Sequence, residues 1–112
     1  MPLYLHQWTY KDERMHSIIV ESRDRADVVR IAIEAFGGKL REFYMCFGEY
    51  DGVAITEFPN DMTALACIMS IFGQGGLNSV KTTVLISSDV AQQAMELAQK
   101  TVDPDAAPGS AG

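Results

Sequence analysis

The 112-residue chain is short of the residue types that metal, nucleic-acid and membrane proteins use. It has two cysteines and two histidines, with no Cys-x-x-Cys or histidine-rich run that would hold a metal ion. Its 9 Lys and Arg against 15 Asp and Glu disfavour nucleic acid or an anionic membrane as a partner. No apolar run approaches the roughly 18 residues that cross a bilayer. We therefore expect no metal, no cofactor, no nucleic acid and no membrane.

Length and cysteine usage predict a single cytoplasmic domain. Residues 1–4 lack the charged and apolar regions of a signal peptide. Cys46 and Cys67 fall in apolar segments, which predicts buried thiols in a reducing compartment. The chain is 47% hydrophobic, enough for a core, but a domain this small buries a modest fraction of its surface. Association through an apolar face would therefore help it.

Alternation and helical spacing predict four strands and three main helices. A helix is expected to start at Ser22 and to stop at Gly37-Gly38, and residues 16–20 are expected to form one or two helical turns. Asn60-Asp61 and Ser87-Ser88-Asp89 are expected to cap the two later helices. The strands are predicted within 3–10, 39–47, 53–58 and 77–86, and the helices within 22–36, 62–72 and 90–100.

The order β-α-β-β-α-β-α predicts an α+β fold, a ferredoxin-like βαββαβ unit with an additional C-terminal helix. Right-handed crossovers give an antiparallel four-stranded sheet of spatial order 4-1-3-2, with both long helices on one face. The first two strands carry large side chains on both faces, so we expect an identical sheet to cover the other face in a homodimer or higher homo-oligomer. The domain is expected to span residues 1–101, and residues 102–112 to form a disordered tail.

A hairpin pattern surrounds the sequence Gly48-Glu49-Tyr50-Asp51. This motif, together with residues 1–5 (MPLYL) and 79–83 (SVKTT), resembles the GYD-domain family over residues 2–100. The resemblance implies a ferredoxin-like fold of the dimeric α+β barrel group. It implies no reaction, because no function is settled for that family.

The same turn admits a structural and a functional interpretation. In the structural one, which we favour, Gly48 supplies a positive φ and Asp51 bonds backbone amides nearby. The hairpin also resembles the turn in the effector-binding domains of the Lrp/AsnC regulators, which implies an amino-acid ligand near Gly48 and Asp51. No helix-turn-helix segment is recognisable, so only the ligand-sensing half of that resemblance applies.

Five residues are the candidate ligand contacts: His6, Trp8, Tyr50, Asp51 and Lys81. Each also has an ordinary structural interpretation. A histidine between aromatic residues is usually a satisfied core or interface residue, and a lysine on an edge strand guards against aggregation. If the protein is an enzyme, His6 or Asp51 is the candidate proton shuttle, since the unperturbed pKa of histidine suits a general base.

Three functions remain open at this point. The preferred hypothesis is a dimeric module that binds a small metabolite between the sheet and the helices or at the dimer seam. The second is a cofactor-independent isomerase, oxygenase or lyase, as the barrel group implies, and the third is a structural or interaction subunit. A closed pocket holding His6 against a carboxylate would favour the enzyme. An open pocket without such a pair would favour binding, and no pocket would favour the structural subunit.

Overall fold

The computed structural model describes residues 1–103 and 105. Its elements, in chain order, are β1 (Leu3–Tyr10), α1 (Asp12–Glu21), α2 (Arg25–Ala35), β2 (Lys39–Met45), β3 (Gly52–Glu57), α3 (Asp61–Gly73), β4 (Leu77–Leu85) and α4 (Ser88–Val102). The predicted tail, residues 102–112, lies outside the described residues except for positions 102, 103 and 105. The predicted domain boundary therefore stays a prediction.

The strands form one antiparallel sheet of order β2-β3-β1-β4. This is the predicted 4-1-3-2 order, and the predicted α+β fold class is confirmed. Strand β1 lies in the interior of the sheet, where Tyr4 pairs with Thr56 of β3 and Val84 of β4. Because side chains alternate along a strand, β1 presents one set of residues to each face of the sheet.

The predicted helix start at Ser22 is wrong. Ser22 ends α1 in the left-handed region, with a φ of 51°. Asp24 caps α2 instead, accepting a hydrogen bond from the backbone N–H of Ala26 at 3.0 Å. The one or two turns expected at residues 16–20 belong to a ten-residue helix, α1. The later caps agree with the prediction, since Asn60 forms a capping box with Thr63 at α3.

One face of the sheet is covered by helices, and we call it the covered face. Its core joins Tyr4 of β1 to Ile33 of α2 and Cys67 of α3, around the fully buried ring of Phe58. The Tyr4 hydroxyl donates a 2.5 Å hydrogen bond to Asp61 in the first turn of α3. That bond, with burial, raises the pKa of Tyr4 to about 12. The bond thus ties the neutral phenol of β1 to the start of α3.

The opposite face carries half-buried residues and is called the open face. Its apolar residues are Leu3, Leu5, Val53, Ile55 and Leu85. Helices α2 and α3 pack on the covered face, α1 contributes Arg14 to a cavity on that side, and α4 has no buried residue. Within the described chain, therefore, no helix covers the open face.

Only one of the two cysteines is buried, whereas the sequence predicted that both are. Cys67 is buried in α3, and burial raises its pKa to about 11. Cys46 is exposed, because β2 ends at Met45 and the chain turns there into the hairpin loop. The prediction of a buried thiol is therefore wrong for Cys46.

Helix α4 is peripheral, and its predicted apolar face, which includes Val90 and Leu97, is exposed. The radius of gyration is 18.5 Å, and the longest dimension is 63 Å. A compact domain of about 100 residues has a radius near 13 Å.

No helix in residues 1–103 combines the length and the apolar character that a membrane crossing requires.

Candidate functional site

A cavity of about 380 Å³ lies between the covered face of the sheet and the helices. The sheet contributes His6, Trp8 and Tyr10 of β1, with smaller residues of β3. Residues of α1, α2, α3 and β4, with Gln74 and Gly76 between α3 and β4, line the rest. Most of the helical lining is aliphatic, and its polar groups are Arg14, Arg25 and Gln74. The site thus combines an apolar body with a few polar groups, the usual composition of a small-molecule site.

His6 is fixed in the cavity wall by two threonines. Its Nδ1 lies 2.9 Å from Thr82 Oγ1 and its Nε2 lies 2.7 Å from Thr56 Oγ1. The side chain is 3% exposed, and burial lowers its pKa to about 4. A neutral imidazole has one N–H and one lone pair, so one threonine accepts a hydrogen bond and the other donates one. His6 is therefore neutral near pH 7 and satisfied at both nitrogens.

The indole of Trp8 lies across Gly52, its partner in β3. A Cβ at Gly52 would stand 2.4 Å from the indole ring, so any other residue there would force the indole to move. Trp8 also contacts Phe43 and Tyr10, with ring centroids 5.7 and 6.4 Å apart. The glycine that follows the Gly-x-Tyr-Asp motif therefore makes room for the aromatic wall of the cavity.

Asp51 joins the hairpin turn to the end of β1. Its carboxylate accepts the backbone N–H of Tyr10 at 2.8 Å, and its own N–H donates to the Trp8 carbonyl at 2.9 Å. Gly48 has a φ of 125°, which confirms the predicted positive φ. The predicted amide bond exists, but it reaches the neighbouring strand, not the turn. Asp51 thus positions the backbone of two residues that line the cavity.

The structure brings together two of the five sequence-predicted contact residues. His6 and Trp8 line the cavity, whereas Tyr50, Asp51 and Lys81 are not part of its lining. Lys81 is exposed on the edge strand β4, opposite Gln7, and so points to the open face. The Tyr50 carbonyl accepts a hydrogen bond from the Cys46 thiol at 3.2 Å. The ligand roles of all five residues stay predictions.

Sequence reasoning missed the two arginines of the cavity. Arg14 belongs to a charged run that looked like the end of a strand, and Arg25 looked like part of a helix start. A signal was present, because Arg25, Val29 and Ile33 are spaced four residues apart and so share one face of α2. All three line the cavity. An arginine in register with an apolar helix face is the pattern to look for.

The described part of the chain contains no cluster of three or more histidine, cysteine, aspartate or glutamate side chains placed to hold a metal ion. His6, the only histidine of the lining, is engaged at both nitrogens by hydroxyl groups. The other polar side chains of the lining are Tyr10, Arg14, Arg25, Thr56 and Gln74.

The chain matches the model of a known protein family. The family model described as GYD domain matches residues 4–95, which include the sheet except for Leu3 and all residues that line the cavity. The chain belongs to the GYD-domain family. The predicted resemblance is thus confirmed. Comparisons with curated proteins and with solved structures gave no match. In this GYD domain, the motif residues Gly48 and Asp51 shape the turn, and Asp51 holds the end of β1.

Proposed function

We propose that this GYD-domain protein is a dimeric small-molecule-binding module, with its ligand in the cavity between the sheet and the helices. The observation that carries the proposal is the cavity itself, with His6 and Trp8 in its wall. Its volume of about 380 Å³ lies at the lower end of the range of roughly 300–1,000 Å³ for small-molecule sites. The ligand is accordingly a small metabolite.

Binding is favoured over catalysis by the state of His6. Proton-transfer catalysis needs an acid or base whose pKa is matched to the working pH and whose partner is in place. Burial holds the pKa of His6 at about 4, and its partners are Thr56 and Thr82. No carboxylate is among the described residues that line the cavity. A cofactor-independent enzyme of the barrel type would need the paired group that this cavity wall lacks.

A cavity-filling variant tests the binding site. Val29→Trp places an indole on a lining position of α2, and Ile31→Trp places the same group on an exposed position of that helix. A metabolite library is screened by thermal shift against the parent and both variants. Ligands of the cavity should lose their stabilising effect in Val29→Trp and keep it in Ile31→Trp. A ligand that still stabilises Val29→Trp would bind outside the cavity. If no compound of the library stabilises the parent, the structural-subunit hypothesis would be favoured instead.

The proposed dimer joins the open faces of two sheets. Its support is the row of apolar residues on that face, since stacked sheets bury such rows at about 10 Å separation. Tyr4 and Phe43 both face the covered side, where they contact Phe58 and Trp8, respectively. Charges at those two positions would therefore test folding and not association.

Leu5→Asp and Ile55→Asp test the dimer, because both residues lie on the open face and pair across β1 and β3. Ile31→Asp introduces the same charge at an exposed site on the other side. Sedimentation at micromolar concentration should show a dimer for the parent and Ile31→Asp, and a folded monomer for the open-face variants. A parent that sediments as a compact monomer would contradict the proposal.

The cytoplasm remains the proposed location. Both cysteines are free thiols, and Cys46 is exposed at the end of β2. Exposed free thiols are typical of proteins in reducing compartments. Localisation of the tagged full-length chain in intact cells would test this proposal.

A further inference from the structure

The cavity contains a cation that lacks a partner. Arg25 lines the cavity at the start of α2, and its Nε is buried without a hydrogen-bond acceptor in the described part of the chain. Arg25 also belongs to none of the ion pairs formed among those residues. A buried N–H group without an acceptor is costly, so most such groups are satisfied by protein, water or ligand. A ligand that brings an acceptor to Arg25 would remove this cost.

The second arginine of the cavity is already engaged. Arg14 donates to Ser17 Oγ at 3.0 Å, and its Nη1 lies 3.7 Å from Glu21 Oε1. Its side-chain stem lies close to Gly76, where a Cβ would stand 3.1 Å from Arg14 Cγ. Because Glu21 offsets part of the Arg14 charge, the cavity offers about one unbalanced positive charge, that of Arg25.

No other described group in the lining changes this balance. The lining holds the amide of Gln74 and no aspartate or glutamate, although the chain as a whole has 15 acidic residues. His6 faces the same space but is held as a neutral ring by its two threonines. A positive cavity in an acidic protein favours an anion inside, since the lining offers Arg25 no carboxylate of its own.

Most of the remaining lining is apolar, apart from the hydroxyl groups of Tyr10 and Thr56. Trp8 closes one side, and aliphatic residues of α2, α3 and β4 close the others, among them Val29, Ile71 and Val80. A small inorganic anion would leave these surfaces without a contact. An apolar molecule without a charge would leave the guanidinium of Arg25 without an acceptor. The occupant that satisfies both surfaces has an anionic head and an apolar body.

We propose that the cavity selects an organic monocarboxylate, whose head pairs with Arg25 beside Gln74 and Arg14 and whose aliphatic or aromatic body packs against Trp8. The inference rests on the proposed binding function and names its ligand class. A guanidinium matches the two oxygens of a carboxylate with two parallel N–H donors. One unbalanced positive charge fits a monoanion better than the dianion of a phosphate monoester.

Acid and amide pairs separate the head from the body. Calorimetry with the full chain compares 3-phenylpropionate with 3-phenylpropanamide, and hexanoate with hexanamide. The two members of each pair differ in charge and share the body. The acids should bind the parent at least about tenfold more tightly than their amides, which is the usual range for a hydrogen bond to a charged group.

Two variants of α2 assign the effect to Arg25. Arg25→Gln should weaken acid binding about tenfold or more and amide binding much less, because the amide carries no charge. Arg25→Lys should fall between Arg25→Gln and the parent. Arg30→Gln removes the same charge from the same helix at an exposed position, where Arg30 pairs with Asp27. It should bind the acids as the parent does. Circular dichroism confirms that each variant is folded.

The outcomes separate the inference from the function on which it rests. If acid and amide bind equally well, or if Arg25→Gln binds the acids as the parent does, the cavity binds small molecules and the anion inference is wrong. Tenfold tighter binding of phenyl phosphate than of 3-phenylpropionate would also overturn the carboxylate. If the only library metabolites that bind the cavity lack a carboxylate, the carboxylate inference is wrong and the binding function stands. If nothing binds, the binding function fails with it.

Discussion

The two faces of the sheet use the same strands for different purposes. On the covered face, Tyr4, His6 and Trp8 of β1 are buried, and both His6 nitrogens have a hydroxyl partner. On the open face, Leu3 and Leu5 of the same strand are half-buried and apolar. One face is built from individually matched groups, and the other combines a row of aliphatic side chains with polar ones such as Gln7 and Lys81. Alternate residues of β1 thus serve the proposed ligand site and the proposed dimer separately.

This difference decides which substitutions each face tolerates. In the packed core around Phe58, a side chain of the covered face that changes size leaves a void or a clash, because α2 and α3 pack on it there. A side chain on the open face has no partner within the described chain, so its contribution to stability depends on association. Four sets of substitutions test this difference, in order of decreasing effect on stability.

The largest effect is expected at Phe58, which is fully buried where the sheet meets α2 and α3. Phe58→Ala should lower the free energy of unfolding by about 3–5 kcal/mol, the usual cost of truncating a buried phenylalanine. Ile55→Ala on the open face is the comparison, measured by urea unfolding over a range of protein concentrations. Its cost should be smaller and should grow with concentration. If the cost of Ile55→Ala is the same at every protein concentration, its side chain is not buried by association through the open face.

The second effect is a loss of stability in acid through His6. Burial lowers its pKa from 6.5 to about 4 in the folded protein, so the unfolded chain binds more protons between those values. The contribution of His6 to the free energy of unfolding is therefore fully present above about pH 6.5. It falls as the pH is lowered towards 4 and is constant below that.

The full difference is about 3 kcal/mol, because the pKa falls from 6.5 in the unfolded chain to about 4 in the folded protein. Urea unfolding of the parent and of His6→Gln between pH 7 and 4 measures it, since subtraction removes the titration of other groups. NMR of the His6 ring gives the pKa directly. A midpoint near 6.5 would show that the ring is not buried among its threonines.

The third effect concerns Gly52 under the indole of Trp8. Gly52→Ala places a Cβ 2.4 Å from the ring, so Trp8 must move, and we expect a loss of about 1–3 kcal/mol. Gly73→Ala is the matched control, because a Cβ at Gly73 meets nothing within 4 Å. It should be neutral or slightly stabilising. Thermal unfolding and tryptophan fluorescence check both variants. An unchanged fluorescence spectrum in Gly52→Ala would contradict the close contact.

Much of the fold could be predicted from the sequence, because its signals are local. Alternation identified the strands, and the handedness of crossovers gave the sheet order. The errors arose where two local signals competed. Ser22 and Asp24 are both good cap residues, and only the length of α1 decides that Ser22 ends one helix and Asp24 begins the next. Cys46 looked like part of a strand, but β2 stops one residue earlier.

The cavity could be predicted only in part. His6 and Trp8 were candidates because they are unusual residues in an interior strand. Arg14, Arg25 and Gln74 come from three different helices or their ends, and their proximity depends on how those helices pack on the sheet. No periodicity within one segment contains that information. The face on which each residue of β1 lies was also undetermined, because both sets carry large side chains.

The smallest effect is expected at Asp51, which supports the cavity wall from outside its lining. Asp51→Ala removes the acceptor of the Tyr10 N–H and should cost about 1–2 kcal/mol, whereas Asp51→Asn keeps an acceptor oxygen and should cost less. Because Asp51 does not line the cavity, Asp51→Asn should bind ligands as the parent does. Thermal unfolding and calorimetry of both variants measure the two properties separately. If Asp51→Asn retains its stability but loses tenfold in affinity, the carboxylate contacts the ligand after all. The site would then extend from the cavity to the Gly-x-Tyr-Asp turn.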